Sequence, residues 1–291
     1  MGRDSRHMSR LVRAVVVIGF IATGSVGYAQ VFDMGVLTNT VSIDHVTQQE
    51  AARAANDQVF GGSADVPDRN PADVLNFRTL PQRTSTNLAT FVAKTREPAK
   101  ADLARLFASQ PDLIDEIGGV MQSYGLDPVN VADAYALWWM SAWLVANQRQ
   151  DTPPAATIAA VRDQARNAFA ATSGFAEADD AGKQQYAEAL MVQAALLNTA
   201  LEQSANQPEM LAQLAQAAKQ GALSSGLDLN TMVLTEQGFV PRQGADASGV
   251  VREDAPAVAQ VDDGSNATLV AIAAALGLGL GGAFWLGKKA G

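Results

Sequence analysis

Three acidic side chains at helical spacing are the first residues whose pattern suggests catalysis. Asp115 and Glu116 follow Asp112 by three and four positions, which places all three on one face of an α-helix. Paired carboxylates cleave glycosidic bonds when one of them has a raised pKa. These acids also follow Pro111 in the first turn of a predicted helix, where negative charge interacts favourably with the helix dipole. Capping and solvation are therefore the favoured interpretation.

An aromatic stripe is the second candidate. Trp138, Trp139 and Trp143 follow Tyr135 by three, four and eight positions, which is the spacing of one continuous helix face. Such a face could stack on the apolar surface of a sugar or of peptidoglycan. In a chain with many Ala and few aromatic residues, the same stripe is more simply explained as the anchor of a helical core.

Two polar residues near the start of the same predicted helix complete the ligand or partner candidates. Asn130 and Asp133 precede the stripe and have side chains able to recognise a ligand. Short polar side chains at a helix start more commonly bond to the free backbone N–H groups. The candidate set is therefore Asn130, Asp133, Tyr135, Trp138, Trp139 and Trp143.

Other chemistries lack the residues that they need. The chain has no Cys and two His, His7 and His45, of which His7 lies in the predicted signal peptide. A nucleophile activated by an imidazole, or a zinc or transition-metal site, is therefore not expected. No G-x-x-x-x-G-K-[ST] phosphate loop is present, and the glycines at 277–282 lie inside an apolar span, which is not the context of a phosphate-binding loop. We predict no catalytic residue, metal site or cofactor.

The charge argues against nucleic acid as a partner. The formal net charge is −9, and it becomes more negative once the four Arg of the predicted signal peptide are removed. A surface with this excess of acids repels phosphate backbones and favours solubility.

The N-terminus predicts export. Arg3, Arg6, Arg10 and Arg13 precede a short apolar run, and small residues follow up to Ala29. A basic region, a short apolar region and a small-residue cleavage site are typical of a bacterial secretory signal. We predict a signal peptide at 1–29 and a periplasmic or cell-surface location. Met8 remains an alternative start, and an uncleaved anchor an alternative to cleavage.

The C-terminus predicts a membrane anchor. Residues 266–287 carry no charge and are long enough to cross a bilayer as a helix. Two acids, Asp262 and Asp263, precede this stretch, and Lys288 and Lys289 follow it, which places residues 288–291 in the cytoplasm. A sorting tail removed by processing, or a buried helix, are the alternatives.

Small residues within this span suggest a second role for it. Gly277 and Gly281 form a G-x-x-x-G pair, a spacing that allows two transmembrane helices to approach closely. The expected partners are therefore the membrane, an envelope protein that the sequence does not identify and, through this face, a second copy of the chain.

The region between the two ends predicts an all-α helical bundle at 82–240. Apolar residues recur at helical spacing through it, and turns marked by Pro or Gly separate the segments, including a helix start at Asp127-Pro128. A short piece from Met232 to Val240 is expected to pack back on the bundle. Residues 30–81 predict a largely disordered arm with a short helix within 48–56, and residues 241–265 an acidic flexible linker.

One segment of this bundle resembles a known family. The run from Tyr124 to Tyr135, YGLDPVNVADAY, with the Trp residues after it, is similar to exported bacterial proteins known only as a domain of unknown function. The later LTEQGF, at 234–239, resembles the end of the same family. The resemblance spans about residues 80–240 and implies a helical exported domain with no established activity.

Together these patterns predict an exported, membrane-tethered helical domain of the cell envelope that acts by interaction. The alternative is a module that binds or cleaves carbohydrate or peptidoglycan with its carboxylates and its aromatic stripe. The two interpretations differ in the exposure of the aromatic stripe, since a binding platform must reach solvent and a hydrophobic core must not.

Overall fold

Helices make up most of the described structure. The computed structural model describes residue 43 and residues 45–61, 74–95 and 99–244 of the 291-residue chain. The elements are α1 (His45–Val59), α2 (Pro81–Lys94), α3 (Ala99–Ser109), α4 (Leu113–Ser123), α5 (Val131–Ala146), α6 (Ala155–Ala170), α7 (Ser173–Glu177), α8 (Asp180–Gln203), α9 (Pro208–Ser224), β1 (Met232–Thr235) and β2 (Gly238–Pro241). The predicted predominance of helix is confirmed.

Several predicted segments lie outside the described residues. They are the signal peptide at 1–29, nearly all of the linker at 241–265, the span at 266–287 with Gly277 and Gly281, and the tail at 288–291. None of the helices within the described ranges is long and apolar enough to cross a membrane.

Helix α5 occupies the centre of the bundle. Every residue of α5 except Leu137 is buried, and α6, α8 and α9 pack around it. A helix that is apolar on all sides must be surrounded by other elements, because exposed apolar surface is unfavourable in water. The helix also positions the candidate residues Asp133, Tyr135, Trp138, Trp139 and Trp143.

The C-terminal piece forms a β-hairpin, which the sequence did not predict. Strands β1 and β2 pair antiparallel, with Met232 opposite Pro241 and Thr235 opposite Gly238. Gln164 of α6 bonds the backbone of β2 as a neighbouring strand would: its Nε2 donates to Phe239 O at 2.8 Å, and Phe239 N donates to its Oε1 at 2.9 Å. These bonds fix the hairpin against the bundle.

Gly238 is required by this arrangement. Its φ is +88°, a region that disfavours other residues, and an added Cβ would lie 2.5 Å from Gln164 Oε1. The hairpin turn and the contact with α6 therefore both depend on the absence of a side chain.

The described part of the arm predicted at 30–81 contains an ordered helix. Helix α1 is longer than the short helix expected within 48–56, and it packs against α6. Its buried residues Ala51, Ala55 and Val59 are spaced by four and form one face. Alanine gives a weak hydrophobic signal in a sequence, yet small side chains let two helices approach closely.

The helix start predicted at Asp127-Pro128 is also wrong. Residues 127–129 form a turn, and α5 begins at Val131 with Asn130 as its N-cap. The side-chain oxygen of Asn130 accepts the backbone N–H groups of Ala132 at 3.0 Å and Asp133 at 3.2 Å. A genuine side-chain cap therefore outcompetes the Asp-Pro pair three residues earlier.

Candidate binding cavity

An apolar cavity of about 120 Å³ lies between α4, α5 and α8. Its walls are mostly aliphatic, and they include Ile117, Val120, Leu137, Met140, Leu144 and Leu201. The space is open to solvent on one side, so it is a pocket between helices and not an enclosed void. Enclosed apolar cavities of roughly 150 Å³ bind small apolar molecules, and a pocket with similar aliphatic walls suits the same kind of guest.

The mouth of the cavity is polar. Residues 149–153, between α5 and α6, form one side, and Asn198 and Glu202 of α8 form another. Arg149 and Asp151 form an ion pair there, with side chains 43% and 52% exposed. The Arg149 guanidinium also lies over the Trp143 ring, 5.3 Å from its centroid. An apolar interior with a few polar groups at its mouth is the usual composition of a ligand site.

The loop at the mouth starts from a strained helix end. After α5, Arg149 N donates to Leu144 O at 2.8 Å and Gln148 N donates to Val145 O at 3.0 Å. These bonds form a Schellman motif, whose central residue adopts a left-handed conformation and is usually Gly. Here it is Gln148, with φ +55°. Strain of this kind is commonly retained where a loop serves a binding site.

Replacing Gln148 with glycine is expected to stabilise the fold. A left-handed residue with a side chain costs roughly 1–2 kcal/mol, and the greater freedom of Gly in the unfolded chain offsets part of the gain. We expect Gln148→Gly to raise the free energy of unfolding by about 0.5–1 kcal/mol in a denaturant titration. Gln150→Gly is the control, since Gln150 has no positive φ. Equal stabilisation by the two substitutions would contradict a strained backbone at Gln148.

Two polar residues of the cavity wall bond to each other. Ser141 of α5 is buried, and Asn198 Nδ2 donates to its Oγ at 3.2 Å. The pair therefore presents little unsatisfied polarity to the cavity, which keeps this part of the wall compatible with an apolar occupant.

Glu202 has no such partner. Glu202 is half-buried and lines the cavity, and burial raises the pKa of its carboxylate above the usual value. No ion pair or side-chain hydrogen bond joins it to another described residue, and α8 has no basic residue in its last turn. Among the described residues that line the pocket, Glu202 is therefore the one charged residue without an ion-pair partner.

The six residues proposed from sequence as ligand or partner candidates do not line the cavity. Asn130 caps α5, and its Nδ2 donates to Asn76 Oδ1 at 2.6 Å, which ties the segment before α2 to the start of α5. Asp133 is fully buried and accepts from Arg166 Nε at 2.6 Å and from Asp127 N at 2.7 Å. Both residues therefore hold the loop before α5 in place.

Burial and Arg166 act on Asp133 in opposite directions. Desolvation raises the pKa of Asp133 above its usual value, against the hydrogen bonds and the positive charge of Arg166. Burial lowers the pKa of Arg166, but the hydrogen bond to Asp133 and the negative charge of that carboxylate outweigh it and raise the pKa above its usual value. The pair links α5 to α6 and does not face an open site.

The aromatic stripe is buried. Tyr135, Trp138, Trp139 and Trp143 are at most 3% exposed, and they pack against Phe169 and Phe239. The Tyr135 hydroxyl has no hydrogen-bond partner among the described residues, and burial raises its pKa well above the usual value. These rings offer no surface on which a sugar could stack, so they form the core that the sequence favoured.

The acidic cluster lies away from the cavity. Asp112 and Asp115 line a separate open groove of about 650 Å³ between α2 and the α3–α4 pair. Asp112 is the residue before α4, but its side chain makes no capping bond. Within the described residues, no group of three His, Cys, Asp or Glu lies close enough to hold a metal ion.

A buried polar cluster went unnoticed in the sequence. Glu188 of α8 is 3% exposed, and its carboxylate accepts from Thr84 Oγ1 at 2.6 Å, Asn87 Nδ2 at 2.6 Å and Gln184 Nε2 at 2.8 Å. Gln184 also bonds both backbone groups of Leu80. The cluster fixes α2 on α8 across about a hundred residues of sequence. Its bonds are all internal, which points to a structural role.

Comparisons with known proteins identify a family and no activity. The model of a family of unknown function (DUF6683) matches residues 75–242. This confirms the resemblance to a domain of unknown function over nearly the range expected. Neither the curated proteins nor the solved structures include a match to the chain.

Proposed function

We propose that this chain, which belongs to the family of unknown function DUF6683, is a membrane-tethered binding domain of the bacterial cell envelope. In this proposal the helical domain is exported and anchored by residues 266–287. It acts by holding an apolar group in the cavity between α4, α5 and α8. No reaction is assigned to it.

The cavity is the observation that carries the binding role. An apolar pocket that stays unfilled leaves its lining atoms without the contacts that a packed core would supply. A fold that keeps such a space beside a strained, charged loop has the features of a ligand site. The binding role is tested by whether the cavity takes up an apolar guest and loses it when Ala195→Phe fills the space.

The two ends of the sequence support the location. A basic and then apolar N-terminus is followed by a small-residue cleavage site, and the uncharged stretch at 266–287 ends in Lys288 and Lys289. Self-association through Gly277 and Gly281 belongs to the same proposal, as does an envelope protein as partner. The carbohydrate alternative is not retained, since it needs the aromatic stripe at the surface and the stripe is buried.

Cleavage and anchoring are tested on the full-length protein expressed in a bacterium. We expect N-terminal sequencing of the membrane fraction to begin at or near Gln30, because the small residues before it fit signal peptidase. Alkaline carbonate is expected to leave the protein in the membrane, and deletion of residues 265–291 to release it. An intact N-terminus, or a full-length chain that washes off freely, contradicts the proposed location.

A further inference from the structure

The half-buried carboxylate at the mouth of the apolar cavity carries an inference about the ligand. Glu202 lines the same cavity as the aliphatic side chains of α4, α5 and α8. A charge that is partly removed from water is unfavourable unless an opposite charge or hydrogen-bond donors compensate it. Within the described residues, neither an ion pair nor a side-chain hydrogen bond supplies that compensation.

The position of Glu202 in its helix adds to this cost. Helix α8 runs from Asp180 to Gln203, so Glu202 lies in its last turn. The C-terminal end of a helix carries a partial negative charge, which disfavours an acid and favours a cation. An acid at this position is unfavourable both because it is half-buried and because it lies at the negative end of the helix dipole. Residues that are unfavourable for the fold in this way are often found at functional sites.

The basic residue that lines the mouth is already engaged. Arg149 forms its ion pair with Asp151 and lies over the Trp143 ring. With Arg149 and Asp151 compensating each other, Glu202 leaves the mouth with one net negative charge. The charge complementary to this site is therefore a single positive one, held next to an apolar group.

We propose that the cavity binds a small amphipathic cation, with its hydrocarbon part between α4, α5 and α8 and its ammonium group against the Glu202 carboxylate. This inference rests on the proposed binding function and names the class of ligand. A short unbranched alkylammonium ion fits both parts, since its chain matches the aliphatic walls and its head group donates hydrogen bonds to a carboxylate. The ligand is held by non-covalent contacts alone.

The test compares three probes of similar size with different head groups. They are n-hexylammonium, n-hexanol and hexanoate, titrated into the full-length protein in detergent while the Met140 methyl NMR signal reports on the cavity. We expect n-hexylammonium to bind most tightly and hexanoate most weakly. Glu202→Gln keeps the shape but removes the charge, so it is expected to weaken n-hexylammonium roughly tenfold or more, the usual effect of losing a charged hydrogen bond.

Matched variants separate the ligand class from the cavity itself. Glu209→Gln removes an exposed acid that does not line the cavity, and it is expected to leave all three affinities unchanged. Binding of n-hexanol is expected to be unaffected by Glu202→Gln. Equal affinities for n-hexanol and n-hexylammonium, or tightest binding of hexanoate, would overturn the cationic ligand and leave the cavity as a binding site. Failure of all three probes to shift Met140 would overturn the cavity-binding function too.

Discussion

Replacing Trp139 with alanine is expected to lower the free energy of unfolding by about 3–5 kcal/mol, the usual cost of truncating a buried aromatic residue. The side chain is fully buried and stacks on Phe239 with ring centroids 4.4 Å apart. Its Nε1 donates to Met232 Sδ at 3.3 Å. The substitution therefore removes both a large core side chain and one of the contacts between α5 and the hairpin.

The expected loss is large compared with the total stability of a domain, which is typically about 5–15 kcal/mol. Trp143→Ala is expected to behave similarly, since Trp143 Nε1 donates to Met232 O at 3.2 Å. The measurement is thermal unfolding followed by near-ultraviolet circular dichroism, with Leu223→Ala as control because Leu223 is 58% exposed. A melting temperature that neither Trp variant changes would contradict the buried core.

Removing the carboxylate of Asp133 is expected to have a comparable effect. Asp133→Ala leaves the Arg166 guanidinium without its partner and frees the Asp127 N–H that the carboxylate accepts at 2.7 Å. Breaking a fully buried ion pair costs about 3–5 kcal/mol. The Arg166 side chain is 28% exposed, so the expected loss lies at the lower end of that range, about 3 kcal/mol. We expect a lower denaturant midpoint and increased proteolysis in the loop before α5.

An exposed ion pair on α6, the helix that carries Arg166, is the matched control. Asp163 pairs with Arg162 at the surface, with its side chain 62% exposed. Such pairs contribute about 0–1 kcal/mol, so Asp163→Ala is expected to change stability little. Adding Arg166→Met to Asp133→Ala is expected to restore part of the loss by removing the unpaired charge. Equal effects of the two Asp variants would contradict a buried ion pair.

The helical bundle is predictable because its main signals are local. The apolar spacing through α5 predicts both the helix and its burial, and Pro81 and Pro208 lie at the starts of α2 and α9. The hairpin escaped this reasoning because its strands are only four residues long. Helix α1 was predicted only in part, as a short helix within 48–56, because Ala51 and Ala55 pack by being small.

The binding site is less predictable, since it depends on which apolar residues fail to fill space. Ile117 and Leu144 have the same helical spacing as fully packed core residues, and only the tertiary structure leaves a cavity between them. Glu202 is one acid among 30 in the sequence, and its lack of a partner shows only when the neighbouring helices are in place. Asn130 and Asp133 were prominent in the sequence because caps and turns have strong local patterns, although their role is structural.

The most direct test of the central claim asks whether the cavity accepts an apolar guest. Methyl NMR spectra of the protein under xenon pressure are expected to show shifts for Ile117, Leu137 and Leu144, because small apolar cavities bind xenon. The methyl groups of Leu103, buried in α3, are expected not to move. Ala195→Phe is expected to abolish the shifts by filling the space. Unchanged cavity methyl signals in the wild-type protein, or equal shifts in the variant, would contradict a binding domain built around this cavity.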